Sequence, residues 1–358
     1  MSRSAGRGSL SVGTAGGAPA VLGHKQIPVD LVGLFSRLDD VLHGAGCPKE
    51  ERYETLAKLL LVKLFTEKRG QHSPVDDKLL SRVLDLYGSS LPEGIRPVFD
   101  VAEHVVRELW DLLSPIRVTD SPPDLLQEFF MIFAPRFYKR DLSQYFTPYP
   151  LVEFIVQIVN PTHGDRIIDP ACGTADFLIA ATRVAQERHG ADVSACTVGV
   201  DISDTASRLA GLNLLLNGCS DAVVRCDDSL RDMAAYEGQF TVALCNPPFG
   251  ARIVERRREV LQGFELGTRE EGGRRVLLPA QETGLLFVEV CLRAVVPGGR
   301  VAIILPNGYL GNRGDRYAAF RRWLLGNARI AAVIAFPRFT FKRSGADVSA
   351  SVVIFERR

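Results

Sequence analysis

The sequence predicts an α/β protein in which a seven-stranded Rossmann-like sheet follows an all-helical N-terminal domain. Three observations lead there. From Val29 to Tyr138 the apolar residues recur with helical period. After Thr147 short β-branched runs alternate with helical stretches, the pattern of a parallel sheet with crossover helices. The first of those runs closes on an aspartate followed by a loop of small residues. A chain of 358 residues is long enough for both units to bury cores of their own.

The segment Met1 to Gly23 is Gly, Ser and Ala with few large apolar side chains, too little to offset its ordering entropy, so residues 1–25 are expected to form a disordered tail. Residues 26–140 are expected to form the helical domain, with stripes at Leu31, Leu34, Phe35, Leu38 and Leu42, then Leu56, Leu59, Leu60 and Leu64, then Val105, Leu109, Leu112 and Leu113. A fourth stretch opens on Ser121-Pro122-Pro123, a cap followed by proline in the first turn, and carries Leu125, Leu126, Phe129, Phe130 and Phe133.

Residues 141–358 form the α/β domain. Strands are expected at Arg166 to Asp169, Thr197 to Asp201, Ala222 to Cys226, Phe240 to Cys245, Arg300 to Leu305, Ile330 to Phe336 and Ser349 to Phe355. Helices are expected between them, at Phe177 to Arg188, Asp204 to Asn217, Glu282 to Val296 and Tyr317 to Leu325. Arg252 to Arg275, rich in arginine and glycine, reads as a loop.

Composition narrows the function classes. No apolar run reaches the roughly 20 residues of a membrane span, and the seven cysteines lack metal-ligand spacing or disulfide-scaffold density, which points to reduced thiols in a cytoplasm. No metal site is expected. A net charge of +1 excludes a polycation that coats nucleic acid by charge alone. Basic runs at Arg256 to Arg258, Arg274-Arg275, Arg321-Arg322 and Lys342-Arg343 read first as solvated faces.

The first strand runs into Asp169-Pro170-Ala171-Cys172-Gly173-Thr174-Ala175-Asp176-Phe177, which puts an acid and a small-residue loop at the carboxyl end of a strand, where open α/β sheets bind ligands. The second strand closes on Asp201-Ile202, an acid suited to both hydroxyls of a ribose. The full G-x-G-x-x-G spacing that seats a pyrophosphate is missing. That favours S-adenosylmethionine, a nucleoside without phosphate. The third strand ends in Asp227-Asp228, and Asp228 is the better candidate to accept from the cofactor's adenine amino group.

The fourth strand ends in Asn246-Pro247-Pro248-Phe249. Two prolines fix the turn and, lacking N–H groups, keep its carbonyls available as acceptors. An adenine amino group is a poor nucleophile because its lone pair is delocalised. If the Asn246 side-chain oxygen and the Pro247 carbonyl accept its two hydrogens, the charge that develops during attack is stabilised. Phe249 supplies a face for stacking. The same pattern also serves amino or amide nitrogens in RNA or protein, or a subunit that only binds cofactor or DNA.

With these motifs the chain resembles the amino-methylating DNA methyltransferases, most closely the modification subunits of type I restriction–modification systems. The resemblance rests on Gln144-Tyr145-Phe146-Thr147-Pro148, the loop from Asp169 to Leu178, Asn246 to Phe249, Pro297-Gly298-Gly299-Arg300, Pro306-Asn307-Gly308 and Ala335-Phe336-Pro337. It implies a class I methyltransferase sheet and transfer from S-adenosylmethionine to N6 of a flipped adenine in double-stranded DNA. It further implies that Gln144 to Pro148 close over the methionine end of the cofactor and that Thr174 and its neighbours line the loop. Ala175 and Asp176 stand where the family commonly has two glycines, so they either crowd the cofactor or give Asp176 a contact with its amino group. The family also commonly continues into a C-terminal helical tail, whereas this sequence stops at Arg358. Nothing after the catalytic domain resembles a target-reading module. A separate specificity subunit, joined in a defence complex by a restriction subunit, is therefore the expected partner.

Overall fold

The computed structural model describes residues 31–70, 75–86, 95–118, 147–250, 253–338, 340–341 and 348–358. The expected tail at 1–25, the fourth helical stretch and Gln144 to Phe146 lie outside these residues.

Helices α1 (Leu31–Gly44), α2 (Lys49–Arg69), α3 (Asp77–Asp85) and α4 (Glu103–Leu113) bear out the three described stripes. Local chemistry sets their ends. The Asp76 carboxylate accepts from the Leu79 N–H at 2.7 Å to start α3, and Gly70 in the left-handed region (φ 60°) closes α2. Their shared core takes in Phe35, Leu38, Leu60, Leu80 and Leu109, together with four leucines from the α/β domain.

That domain opens on helix α5 (Tyr149–Val159), which the strand and helix reading did not include. There follow β1 (Ile167–Asp169), α6 (Asp176–His189), β2 (Thr197–Asp201), α7 (Asp204–Leu216), β3 (Val223–Cys226) and β4 (Phe240–Cys245). The strands are ordered β10-β11-β9-β4-β1-β2-β3, where β9 is Val295–Pro306, β10 Ala328–Ala335 and β11 Ala350–Arg357. From β3 to β9 neighbours run parallel, and β11 is antiparallel to both β9 and β10. The seven expected strands are therefore present. Because consecutive strands depart from β1 in opposite directions, the carboxyl ends of β1, β2 and β4 open onto a common crevice, the topological switch point of such sheets.

Helix α7 is buried on two sides. Leu209, Leu212, Leu215 and Leu216 enter the core of α1 to α4, while Ala210 and Leu214 pack toward the sheet. At its first turn the Arg208 guanidinium lies 3.4 Å from the Glu54 carboxylate of α2. Glycine also suits β2 where side chains press on it: a Cβ on Gly199 would stand 3.0 Å from both Cys172 Sγ and Leu178 Cδ1.

The loop expected at Arg252 to Arg275 is instead largely folded. Strand β5 (Val254–Glu255) leads into the short helix α8 (Arg258–Leu261), and β6 (Thr268–Glu271) and β7 (Arg274–Leu277) form a hairpin across Gly272-Gly273, with φ 57° and 75°. Consecutive glycines at positive φ are what such a tight hairpin requires. Strand β8 (Gln281–Glu282) then pairs back onto β5 and runs into α9 (Thr283–Ala294). Strand β9 starts at Val295, five residues before the expected Arg300, with a register shift against β4 at Pro297 to Gly299. Helices α10 (Asn307–Gly311) and α11 (Asp315–Asn327) follow, the latter longer at both ends than expected.

Candidate active site

Two loops form one cleft. The turn after β1 contributes Asp169, Ala171, Cys172, Gly173, Thr174, Asp176 and Phe177, the turn after β4 contributes Asn246, Pro247 and Pro248, and Thr147 closes one side. These positions are distant in sequence and meet because β1 and β4 are neighbours in the sheet.

The Asp169 loop is held from below. Asp169 Oδ1 accepts from the Ala171 N–H at 3.0 Å, and the Asp201 carboxylate accepts from the N–H groups of Gly173 and Ser203 at 3.0 and 2.9 Å. The Asn213 carboxamide of α7 donates to the Thr174 carbonyl at 2.7 Å, and Thr174 Oγ1 donates to Asp176 at 2.6 Å. Gly173 has φ 52° and Ala175 φ 67°, so the loop carries two left-handed residues, one of which bears a side chain. The Ala175 methyl is fully buried behind the cleft and does not line it.

The electrostatics favour a cation. Burial drives the Asp169 carboxyl well above its ordinary range, and the nearby Asp201 and Asp176 raise it further against the Ala171 N–H. Burial likewise pushes Asp176 up to about 6, opposed by hydrogen bonds from Thr174 and Asn213. Among the described residues no lysine or arginine lines the cleft. Such a donor set suits a sulfonium and an ammonium and is hostile to a pyrophosphate. S-adenosylmethionine fits it.

Two further expected site residues, Ile202 and Asp228, do not line this cleft. Ile202, just beyond Asp201, is 63% exposed, which is unusual for a large aliphatic side chain at a strand end. The nearly buried Asp228 accepts from the Leu230 and Arg231 N–H groups at 3.0 and 3.3 Å and faces the Arg257 guanidinium at 2.7 Å. Arg257 is in turn gripped by Glu255 through three side-chain contacts of 2.5, 3.0 and 3.1 Å.

At the diproline corner the Asn246 carboxamide nitrogen donates to Thr147 Oγ1 at 2.8 Å. The Pro248 carbonyl accepts from Thr283 Oγ1 at 2.8 Å, and the Pro247 carbonyl has no partner among the described residues. Pro148 sits at the N-cap of α5 and does not line the cleft. The Phe249 ring, expected to present a stacking face, is 1% exposed and packed in the core beside Gly284, so a base reaches it only if its cover moves. Thr283 and Asn213 carried no sequence signal, and Arg257 only its place in a basic run: each acts through a contact made 29 or more residues away, which spacing cannot reveal.

The model of the N-6 DNA methylase family matches residues 124–358, about two thirds of the chain and all of this cleft. The chain belongs to that family. The type I restriction enzyme StySPI methylase subunit of Salmonella potsdam is 26% identical over 92% of this chain and 67% of its own length. The EcoEI methylase subunit of Escherichia coli is 25% identical, over 56% of this chain and 39% of its own length. The chain thus spans well under half to two thirds of these two relatives. The type II methyltransferase M.MamI of Microbacterium ammoniaphilum is 26% identical over 68% of this chain and 84% of its own. Among solved structures, the type I restriction–modification methyltransferase subunit of Streptococcus thermophilus superposes with a TM-score of 0.64 at 17% identity, covering 92% of this chain and 84% of that one. The type IIG restriction endonuclease BpuSI superposes at 0.58 with 20% identity, covering 92% and 39%. Both show this chain to have the methyltransferase fold its strand order indicates.

Proposed function

We propose that the protein is a DNA (adenine-N6) methyltransferase acting as the modification subunit of a restriction–modification complex. The observation that carries this reading is the cleft itself, which sets Asn246-Pro247-Pro248 against the acidic loop from Asp169 to Asp176.

In this reading Asp201 holds the ribose hydroxyls, and Ile202 and Asp228 receive the cofactor's adenine. Asp169 and Asp176 with Ala171, Gly173 and Thr174 frame the methionine end, beside Thr147. Bound there, S-adenosylmethionine supplies an electrophilic methyl group. The chain's own residues do the rest. An adenine extruded from the duplex gives its two N6 hydrogens to the Asn246 side-chain oxygen and the Pro247 carbonyl. Pro248 keeps that corner rigid, and Phe249 stacks on the base once uncovered. Developing charge on N6 is met by acceptors already in place, which reorganise little as the bond forms.

Double-stranded DNA is the substrate, and residues 31–113 offer the docking face for a separate specificity subunit, with a restriction subunit in the full complex. The names of the type I methylase relatives and the mild net charge support this division of labour. Such a complex works in the cytoplasm.

The test is transfer of tritium from labelled S-adenosylmethionine to adenine-containing duplex DNA, with nucleoside mass spectrometry locating the methyl group on N6. Asn246→Ala should lose on the order of 10²-fold in rate. Label appearing in RNA or protein but not in DNA overturns the substrate, and failure to bind the cofactor by calorimetry overturns the activity.

A further inference from the structure

The corner after β4 can work only if its backbone is held, because the Asn246 side-chain oxygen and the Pro247 carbonyl must keep a fixed separation to meet the two hydrogens of one amino group. The turn is tethered one residue further on, at the Pro248 carbonyl. Thr283 Oγ1 lies 2.8 Å from the Pro248 carbonyl and 3.2 Å from that of Ile253, and its single proton goes to the nearer oxygen.

Thr283 reaches so far because its surroundings are built for close approach. Its own N–H donates to the Ile253 carbonyl at 3.1 Å, which fixes the first turn of α9 against the strand that follows the corner. The next residue is Gly284, where a Cβ would stand 2.9 Å from Tyr309 Oη and 3.2 Å from Phe249 Cβ. Any side chain there would push α9 off the corner. The preceding residue, Glu282, is 3% exposed and accepts from Tyr317 Oη at 2.7 Å, which ties the same turn to α11.

We infer that Thr283 is a positioning residue for methyl transfer, anchoring the Pro248 carbonyl so that the turn keeps the Asn246 side-chain oxygen and the Pro247 carbonyl in the pose that receives the amino group. The inference rests on the reading of the corner given above. Thr283 touches no substrate and acts through Pro248 alone.

Thr283→Val keeps the shape and removes the donor, and Thr283→Ser keeps the donor. Single-turnover transfer to duplex DNA at saturating cofactor should fall about tenfold in Thr283→Val, the scale of one lost hydrogen bond. Thr283→Ser should restore it, and calorimetry should give both variants the cofactor affinity of the wild type. Full activity in Thr283→Val, or equal loss in Thr283→Ser, overturns the inference. If the wild type transfers no methyl group, the functional reading fails on its own. The positioning role is then decided by amide hydrogen exchange in the cofactor-free chain: exchange at Phe249 and Gly250 should quicken in Thr283→Val and recover in Thr283→Ser, and unchanged exchange overturns it.

Discussion

Thr147 Oγ1 accepts from the Asn246 carboxamide nitrogen at 2.8 Å across 99 residues of sequence. A carboxamide that donates on its nitrogen side has its oxygen turned the other way, so this bond fixes the direction in which Asn246 offers an acceptor. Thr147→Val should leave cofactor affinity within about twofold while lowering the transfer rate about tenfold, with Thr147→Ser close to wild type. Steady-state kinetics on duplex DNA beside calorimetry with the cofactor separates the two effects.

Asp176 gives the site a pH dependence near neutrality. Its folded value of about 6 lies above the ordinary 3.8, so between these values the folded chain holds the extra proton. The contribution of Asp176 to the stability of the cofactor-free protein therefore falls as pH rises from about 4 to 6 and levels off beyond. Binding of a cationic cofactor runs the opposite way, since protonation removes a negative charge from the cleft, and should weaken several-fold from pH 7.5 to 5.5. In Asp176→Asn both trends should flatten, as read by thermal melts and calorimetry across that range.

Asp201 holds the loop and, in the proposed function, the ribose as well. Its carboxylate receives the Gly173 and Ser203 N–H groups at 3.0 and 2.9 Å from a 3% exposed position. Asp201→Ala should cost about 1–3 kcal/mol of stability by stranding those donors, and at least tenfold in cofactor affinity. Denaturant titration and calorimetry give the two numbers. An unchanged dissociation constant would remove Asp201 from the site.

Gly199 lies in β2 where α6 and the Asp169 loop press closest to the sheet. Its missing side chain would stand 3.0 Å from Cys172 Sγ and Leu178 Cδ1, both within the core. Gly199→Ala should destabilise by about 1–3 kcal/mol through overpacking, and Gly199→Val by more. The shift in denaturation midpoint is the measurement.

The strands and the crevice were legible because hydrophobic periodicity and strand-end acids are local signals. Asp169, Asp201 and Asn246 each close a run of apolar residues, and parallel connectivity brings such ends together. The insert from residue 253 to 282 was not legible as structure, since β5 and β8 are two residues each and gain their order only by pairing across a long gap. Helix α5 was hidden for a different reason: Tyr149-Pro150 at its start reads as the continuation of a loop, and its apolar run is too short to tell helix from strand. Phe249 shows the limit most plainly. Its identity announces an aromatic beside the catalytic turn, but whether the ring faces the cleft or the core depends on neighbours such as Gly284 that no motif names.

Helix α7 binds the fate of two regions. Leu209, Leu212, Leu215 and Leu216 are seated among the N-terminal helices, while Asn213 on the same helix fastens the Thr174 carbonyl. Excising residues 31–113 would uncover those leucines and loosen the anchorage of the Thr174 loop. The front helices are therefore part of the foundation on which the α/β domain rests.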